Sequence, residues 1–251
     1  MTLSQRAAVP LALRTAGPPE ILHSEATAQA SPPLSLRDFL ECWMMQHGTS
    51  LQRLSLAGCG AWVTDDDLQI VTKYCKSSLV CLDLCGCAQL SDWSISNCLR
   101  DCQFLTTVSL AMMGQLSSEA LAHYAPSEHA AEETQHVAVP LRCNLERLDL
   151  TGCGGIGWFG LETALRSIGT GLLELSLRGQ VAMPADGIVN VLRRCPNLKQ
   201  LDASCCLSID DSTVAEICSI CPQLCTLAIS ACPAVSMPNN IGKLSDTAAI
   251  L

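Results

Sequence analysis

Three groups of residues in this sequence have the types and spacing that chemistry needs. Cys218-x2-Cys221-x3-Cys225, followed by Cys232, offers four thiols at spacings a tetrahedral zinc ion accepts. Gly152-Cys153-Gly154-Gly155-Ile156-Gly157 reads G-x-G-x-x-G between a strand pattern and a helix pattern. That is the setting in which helix N–H groups hold a pyrophosphate. His129, Glu132 or Glu133, and His136 would share one face of a helix and could grip a metal. Each group also has a purely architectural reading, and the choice depends on the elements that position the residues.

Those elements repeat. LQRLSLAGC at Leu51 returns as LVCLDLCGC at Leu79, LTTVSLAMM at Leu105, LERLDLTGC at Leu145, LLELSLRGQ at Leu172, LKQLDASCC at Leu198 and LCTLAISAC at Leu224. Consecutive starts lie 26–28 residues apart, except for a 40-residue step between Leu105 and Leu145. Periodicity of this kind marks a solenoid of stacked units. Within a unit, Leu-x-Leu alternation sends Leu54 and Leu56 to one face and Arg53 and Ser55 to the other. Turn residues follow, then an N-cap candidate such as Thr64, Ser117 or Asp210. A helical pattern comes next, as in Leu68, Val71 and Thr72, or Ile188, Val191 and Leu192. One unit cannot cover its own apolar face, so the strands must pair into a parallel sheet that buries the leucines against the helices.

The repeat reweighs the three groups. Counting each unit from its first leucine as position one, position nine is Cys59, Cys87, Met113, Cys153, Gln180, Cys206 and Cys232. A second series, Cys75, Cys102, Cys195 and Cys221, closes the helices. Cys221 and Cys232 therefore stand in register with structural thiols, and no second C-x2-C completes a finger. Gly152-Cys153 is the turn already seen at Gly58-Cys59 and Gly86-Cys87, and the nearest ribose-binding acid, Glu174, falls in the next strand. The stretch around His129 is acidic, rich in alanine and bounded by Pro126 and Pro140, as a solvated inserted loop at 125–140 would be. No Ser-His-Asp, Cys-His or paired-carboxylate set recurs at a fixed place. The expectation is no catalytic residue, no metal and no cofactor.

Composition narrows the partners. A net charge of −9 and a pI near 4.9 argue against nucleic acid, which calls for a basic stripe. The apolar share of 49% demands a core, and with 4% aromatic residues that core is aliphatic. No apolar run is long enough to span a membrane. Seventeen cysteines, an odd number, without any N-x-[ST] acceptor favour free thiols in a reducing compartment. The N-terminus shows no clear signal-peptide core, because Arg6, Pro10 and Arg14 interrupt it. Residues 1–19 also suit a mitochondrial presequence, so mitochondrion and nucleus stand as alternatives to the expected cytoplasm. The expected layout is a disordered tail over 1–33, a capping helix over 34–50, a solenoid over 51–235 and a tail or cap over 236–251. In the capping helix Ser35 starts the element, and Leu36, Phe39, Leu40 and Trp43 share its apolar face.

The pattern L-x-x-L-x-L-x-G-C, with a 26-residue period and a closing Cys-Pro, resembles the cysteine-containing leucine-rich repeats of F-box/LRR proteins over about Leu51 to Cys232. The resemblance implies an α/β horseshoe, with a parallel sheet on the concave face and helices on the convex one. It also implies recruitment of substrates to a Skp–cullin–F-box ubiquitin ligase. Gly17-Pro18-Pro19-Glu20-Ile21-Leu22 looks like the opening of an F-box, but SEATAQASPP follows, so the F-box is absent or truncated. An F-box-independent scaffold or regulator is the alternative. Either way the partner is a protein held on the concave face. The residues expected there are Arg53, Asp83, Arg147, Asp149, Glu174, Arg178, Gln200 and Asp202, with charge concentrated from Arg147 to Asp202.

Overall fold

The computed structural model describes residues 36–124, 144–236 and 249–250. Eight short strands form one parallel sheet in chain order: β1 (Arg53–Ser55), β2 (Cys81–Asp83), β3 (Thr107–Ser109), β4 (Arg147–Asp149), β5 (Glu174–Ser176), β6 (Gln200–Asp202), β7 (Thr226–Ala228) and β8 (Ala249–Ile250). Helices α1 (Leu36–His47), α2 (Asp65–Cys75), α3 (Asp92–Asp101), α4 (Trp158–Ile168), α5 (Ala185–Leu192) and α6 (Asp211–Ile220) pack behind it. In the third unit a 3-10 helix, Ser118–Tyr124, takes the place of an α-helix. The fold is a leucine-rich-repeat solenoid, as the periodicity predicts. The inserted loop at 125–140 and the 1–33 tail lie outside the described residues. At the other end, β8 adds a strand beside β7, in the stretch the sequence reading left as tail or cap.

Register is one-to-one, with Leu54 beside Leu82, Val108 beside Leu148 and Leu175 beside Leu201. The leucines at positions one, four and six are buried in every unit where they occur. Each such side chain contributes about 1.5–3 kcal/mol on burial, and a neighbouring unit supplies part of its cover. At the chain's earlier end α1 performs this covering for α2. Met44 is buried, Leu40 and Trp43 pack against the core, and Cys75 Sγ lies 3.5 Å from Met44 Sδ. Ser35 and the side chains of Leu36 and Phe39, which the sequence reading assigned to the same helix, lie outside the described residues.

Leaving the sheet requires a tight turn at position eight. Gly58, Gly86, Met112, Gly152, Gly179, Cys205 and Ala231 all have φ between 58° and 79° there. Four units meet this with glycine, and the other three hold an L side chain in the left-handed region, at a cost of about 1–2 kcal/mol each. Position nine then turns inward, and in five units its side chain donates to the preceding unit's strand-exit carbonyl. Cys153 Sγ reaches Leu110 O (2.8 Å), Cys206 reaches Leu177 O (3.3 Å), Cys232 reaches Ala203 O (3.3 Å) and Cys87 reaches Leu56 O (3.5 Å). Gln180 does the same with its amide, 3.1 Å from both Leu150 O and Cys153 O. The thiol is therefore a small donor for a buried carbonyl as well as a space-filler.

Burial of the thiols, expected throughout, is corrected: Cys42 and Cys225 are exposed, and Cys59, Cys81, Cys85, Cys205 and Cys218 are half-buried. Cys59 is only half-buried, because among the described residues no strand precedes β1 to cover it, whereas Cys98, out of register, is buried in α3. Helix starts are capped as expected at Thr64, whose backbone N–H and hydroxyl bond Asp67, and at Asp210, which accepts from the Thr213 N–H. Asp65 and Asp92, at the first turns of α2 and α3, accept both the N–H and the hydroxyl of Ser91 and Ser117 in the next unit. Asp211 accepts the Ser236 N–H in the same way.

Two outcomes follow from this packing. A methyl at Gly86 would meet open space, so Gly86→Ala isolates the backbone strain. It should cost about 1 kcal/mol, with Ala231→Gly gaining up to about that, both by equilibrium denaturation. Burial pushes the thiols of Cys75, Cys206 and Cys221 up to about 11 and those of Cys87 and Cys195 up to about 12. Unfolded, these thiols would ionise near 9, so their contribution is complete below pH 9 and is lost as pH rises toward 11–12. Denaturation midpoints should be flat from pH 7 to 8.5 and fall above 9.5; a flat curve to pH 11 would show the thiols to be solvated.

Candidate functional site

Two rows of side chains stand on the open face of the sheet. The first is Arg53, Cys81, Thr107, Arg147, Glu174, Gln200 and Thr226; the second is Ser55, Asp83, Ser109, Asp149, Ser176, Asp202 and Ala228. Stacked strands bring equivalent residues to roughly 5 Å of one another. Strand burial alternates with the middle residue inside, which is the alternation the sequence predicts.

The eight expected binding residues do not form a single patch. Arg147, Asp149, Glu174, Gln200 and Asp202 line a hollow of about 340 Å³, together with Thr107, Ser109, Ser176, Thr226 and Ala228. Arg53 and Asp83 lie outside it, at the β1–β2 end. Arg178 is also outside, because it follows β5 by two residues in the exit turn rather than lying on the strand. It still reaches toward the hollow, with Nη1 3.9 Å from Asp202 Oδ2. Across β4 and β5, Arg147 Nε meets Glu174 Oε1 at 3.0 Å. Exposed pairs of this kind are worth about 0–1 kcal/mol, so either partner can be redirected to an incoming group at small cost.

The second row does structural work that spacing alone does not show. Asp83 accepts the Cys85 N–H at 3.1 Å, Asp149 the Thr151 N–H at 3.0 Å, and Asp202 the Ser204 N–H at 2.9 Å. These are Asx turns that steer each strand into its left-handed exit. Ser55 donates to Asp83 at 2.8 Å and Ser109 to Asp149 at 3.2 Å, while Thr151 donates to Asp149 at 2.7 Å. A legible signal existed in the sequence: Asp or Ser recurs at position five of six consecutive units.

The other chemical candidates resolve by location. Cys221 ends α6 and faces the Leu192 and Cys195 carbonyls, whereas Cys232 follows β7 and faces Ala203. The two thiols thus lie at opposite ends of β7. Among the described residues no group of three or more His, Cys, Asp or Glu could hold a metal ion. Gly152 is a position-eight turn, and a methyl on Gly155 would collide with the Leu116 carbonyl oxygen. Those glycines therefore serve the turn and the close approach of units. His129, Glu132, Glu133 and His136 lie outside the described residues. No helix among the described residues is long and apolar enough to cross a membrane.

One feature away from the sheet was not read from sequence. Glu162 in α4 is buried and accepts from Arg166 at 3.3 Å and from Arg194 at 2.6 Å. Burial raises its pKa, but the two guanidiniums more than reverse this and hold it below the usual carboxylate range. Trp158, Phe159, Asn190 and Arg193 complete a cleft of about 420 Å³ beside it.

No family model matches the sequence. Among solved structures, a chain of the yeast Rad7–Elc1 complex is similar at 17% identity and a TM-score of 0.54, over 88% of this chain and 65% of that one. The leucine-rich repeat-containing protein LegL7 from Legionella pneumophila is similar at 19% identity and a TM-score of 0.47, over 71% of this chain and 56% of that one. This chain thus spans less than two thirds of either, and at such identities the first likeness speaks to the fold alone.

If Asp149 is a turn-former, Asp149→Ala should destabilise by about 1–2 kcal/mol through the orphaned Thr151 N–H. Asp149→Asn, which keeps an acceptor, should cost less than half of that. Equal losses in denaturation experiments would assign the effect to charge instead.

Proposed function

We propose that this chain is a protein-recognition module whose concave sheet receives a polar segment of a partner, and that it recruits substrates for a ubiquitin ligase of the Skp–cullin–F-box type. The observation that carries the reading is the hollow over β3–β7. Its lining of hydroxyls, an amide and exchangeable ions suits a charge-complementary contact between proteins. The ligase assignment rests on the resemblance of the cysteine-containing repeats. The fold similarity to a chain held in the Rad7–Elc1 complex is in keeping with a protein partner. An F-box-independent scaffold is the second reading, and α1 favours it. That helix is committed to covering α2 through Met44 and the Arg37–Asp66 ion pair at 2.7 Å.

The test is capture of tagged full-length chain from cells with identification of co-purifying proteins. Skp and cullin subunits among them support the ligase reading, and their absence alongside a defined partner supports the scaffold. Arg147→Glu with Arg178→Glu should leave folding within about 1 kcal/mol, since both side chains are exposed. Capture of a concave-face partner should fall by tenfold or more. Deleting Ser127 to His136 probes the competing site: loss of capture there, with none in the double reversal, would move the recognition surface to the insertion.

A further inference from the structure

A second surface lies on the edge where the strands exit and the helices begin. Among the described residues the molecule exposes few large apolar side chains, and six of them fall on this edge, Trp62 of the first unit and five more. Trp93, Met112, Phe159, Val181 and Leu207 are 55–65% exposed and come from five consecutive units, the second to the sixth. Trp93 and Phe159 occupy the same position, the second residue of α3 and of α4. Met112 follows β3, and Val181 and Leu207 stand at position ten of the fifth and sixth units, in the turns after β5 and β6. Stacking in register sets them along one side of the solenoid rather than scattering them.

Two further observations say what would cover them. Met112 is one of three residues holding an L side chain at the left-handed exit position, with φ 59°, where four other units use glycine. The sequence accepts backbone strain there and displays a thioether that the core does not use. Charge in the exit turns leans one way as well, although on the helix side Phe159 borders Arg193 and Arg194. Over positions eight to seventeen of these five units there are five carboxylates and no Lys, Arg or His. Complementing the helix dipoles explains acids at helix starts. It does not explain the large exposed apolar groups between them. Glu119 and Asp186 are exposed within this stretch.

From these we infer that the strand-exit edge of the second to sixth units docks a cationic amphipathic segment of a partner protein, its apolar side chains on Trp93, Met112 and Phe159 and its Lys or Arg residues against the flanking carboxylates. Anionic lipid is repelled by the same carboxylates, and nucleic acid likewise. This surface is separate from the concave hollow, so one chain can hold two segments at once.

The test uses the full chain and a fluorescent 18-residue helical peptide built from Leu and Lys, with a Leu–Glu peptide of the same pattern beside it. The Leu–Lys peptide should bind and the Leu–Glu peptide should not. Trp93→Gln, Met112→Gly and Phe159→Gln together should weaken binding at least tenfold. Met112→Gly relieves strain, so loss of folding is a poor explanation for that result, and circular dichroism checks it directly. Glu119→Lys with Asp186→Lys should weaken binding at least fivefold at low salt, with the difference shrinking as salt is added. Arg147→Glu with Arg178→Glu should leave peptide binding unchanged, which separates this surface from the concave site. Equal binding of both peptides, or edge variants that bind like the parent, would overturn the inference. So would a change in sedimentation of the edge variants without peptide binding, which would make the occupant a second copy of this chain.

Discussion

A three-residue strand that ends inside a protein leaves a carbonyl pointing into the core, and a buried carbonyl without a donor costs about 1–3 kcal/mol. In this solenoid the unit's own position-nine N–H meets most of these carbonyls, as Cys59 N–H meets Leu56 O at 3.0 Å, and the next unit's position-nine thiol or amide adds a donor across the stack. The chain turns out of the sheet through a left-handed residue, and the following side chain reaches back to the neighbour's exit carbonyl, as Cys153 does to Leu110. That contact forms only when the units are stacked one-to-one, so it ties turn geometry, residue type and register together. The aliphatic core follows from the register. With strands aligned residue for residue, leucines at positions one, four and six close on their counterparts, and Gln180 can replace a thiol only because its amide finds the same carbonyl.

The same constraint divides the concave face by role. Position five forms the turn, so Asp83, Asp149 and Asp202 are anchored by backbone N–H groups and present their outer oxygens in fixed directions. Position three carries no such duty, and there the sequence varies freely from Arg to Cys, Thr, Glu and Gln. A face built this way has a rail of alternating Ser and Asp beside a variable row. Specificity would then reside in the variable row, with the rail setting the approach and charge of what is accepted.

Much of this was legible in the sequence because the period is so regular. Leu-x-Leu alternation places Leu54, Leu148 and Leu201 on the buried side, where they are found. What escaped is what depends on neighbours rather than on the unit itself. Cys59 has the right position but, among the described residues, no strand before it, and Cys98 is buried by packing that its position does not encode. Arg178 read as a strand residue because Leu177 continues the alternation, yet β5 ends at Ser176 and the side chain leaves from the turn. The Glu162 cluster joins α4 to Arg194 beyond α5, a contact between units that no single repeat reveals.

The inward thiols also bear on how the molecule ages. Each is protected only while its own unit and the adjoining one stay closed, and solenoids open locally from their ends. A position-nine sulfur that is alkylated or oxidised during such an opening is too bulky or too polar to re-enter the turn, and the contact it made across the stack to its neighbour's carbonyl is lost. Every brief opening can therefore be locked by chemistry, as a ratchet converts small reversible motions into one direction. The working lifetime of this chain is set by the reducing power around it as much as by its folding equilibrium. The fifth unit, whose turn carries Gln180 in place of a thiol, is the one exit turn among the last four immune to that wear at position nine.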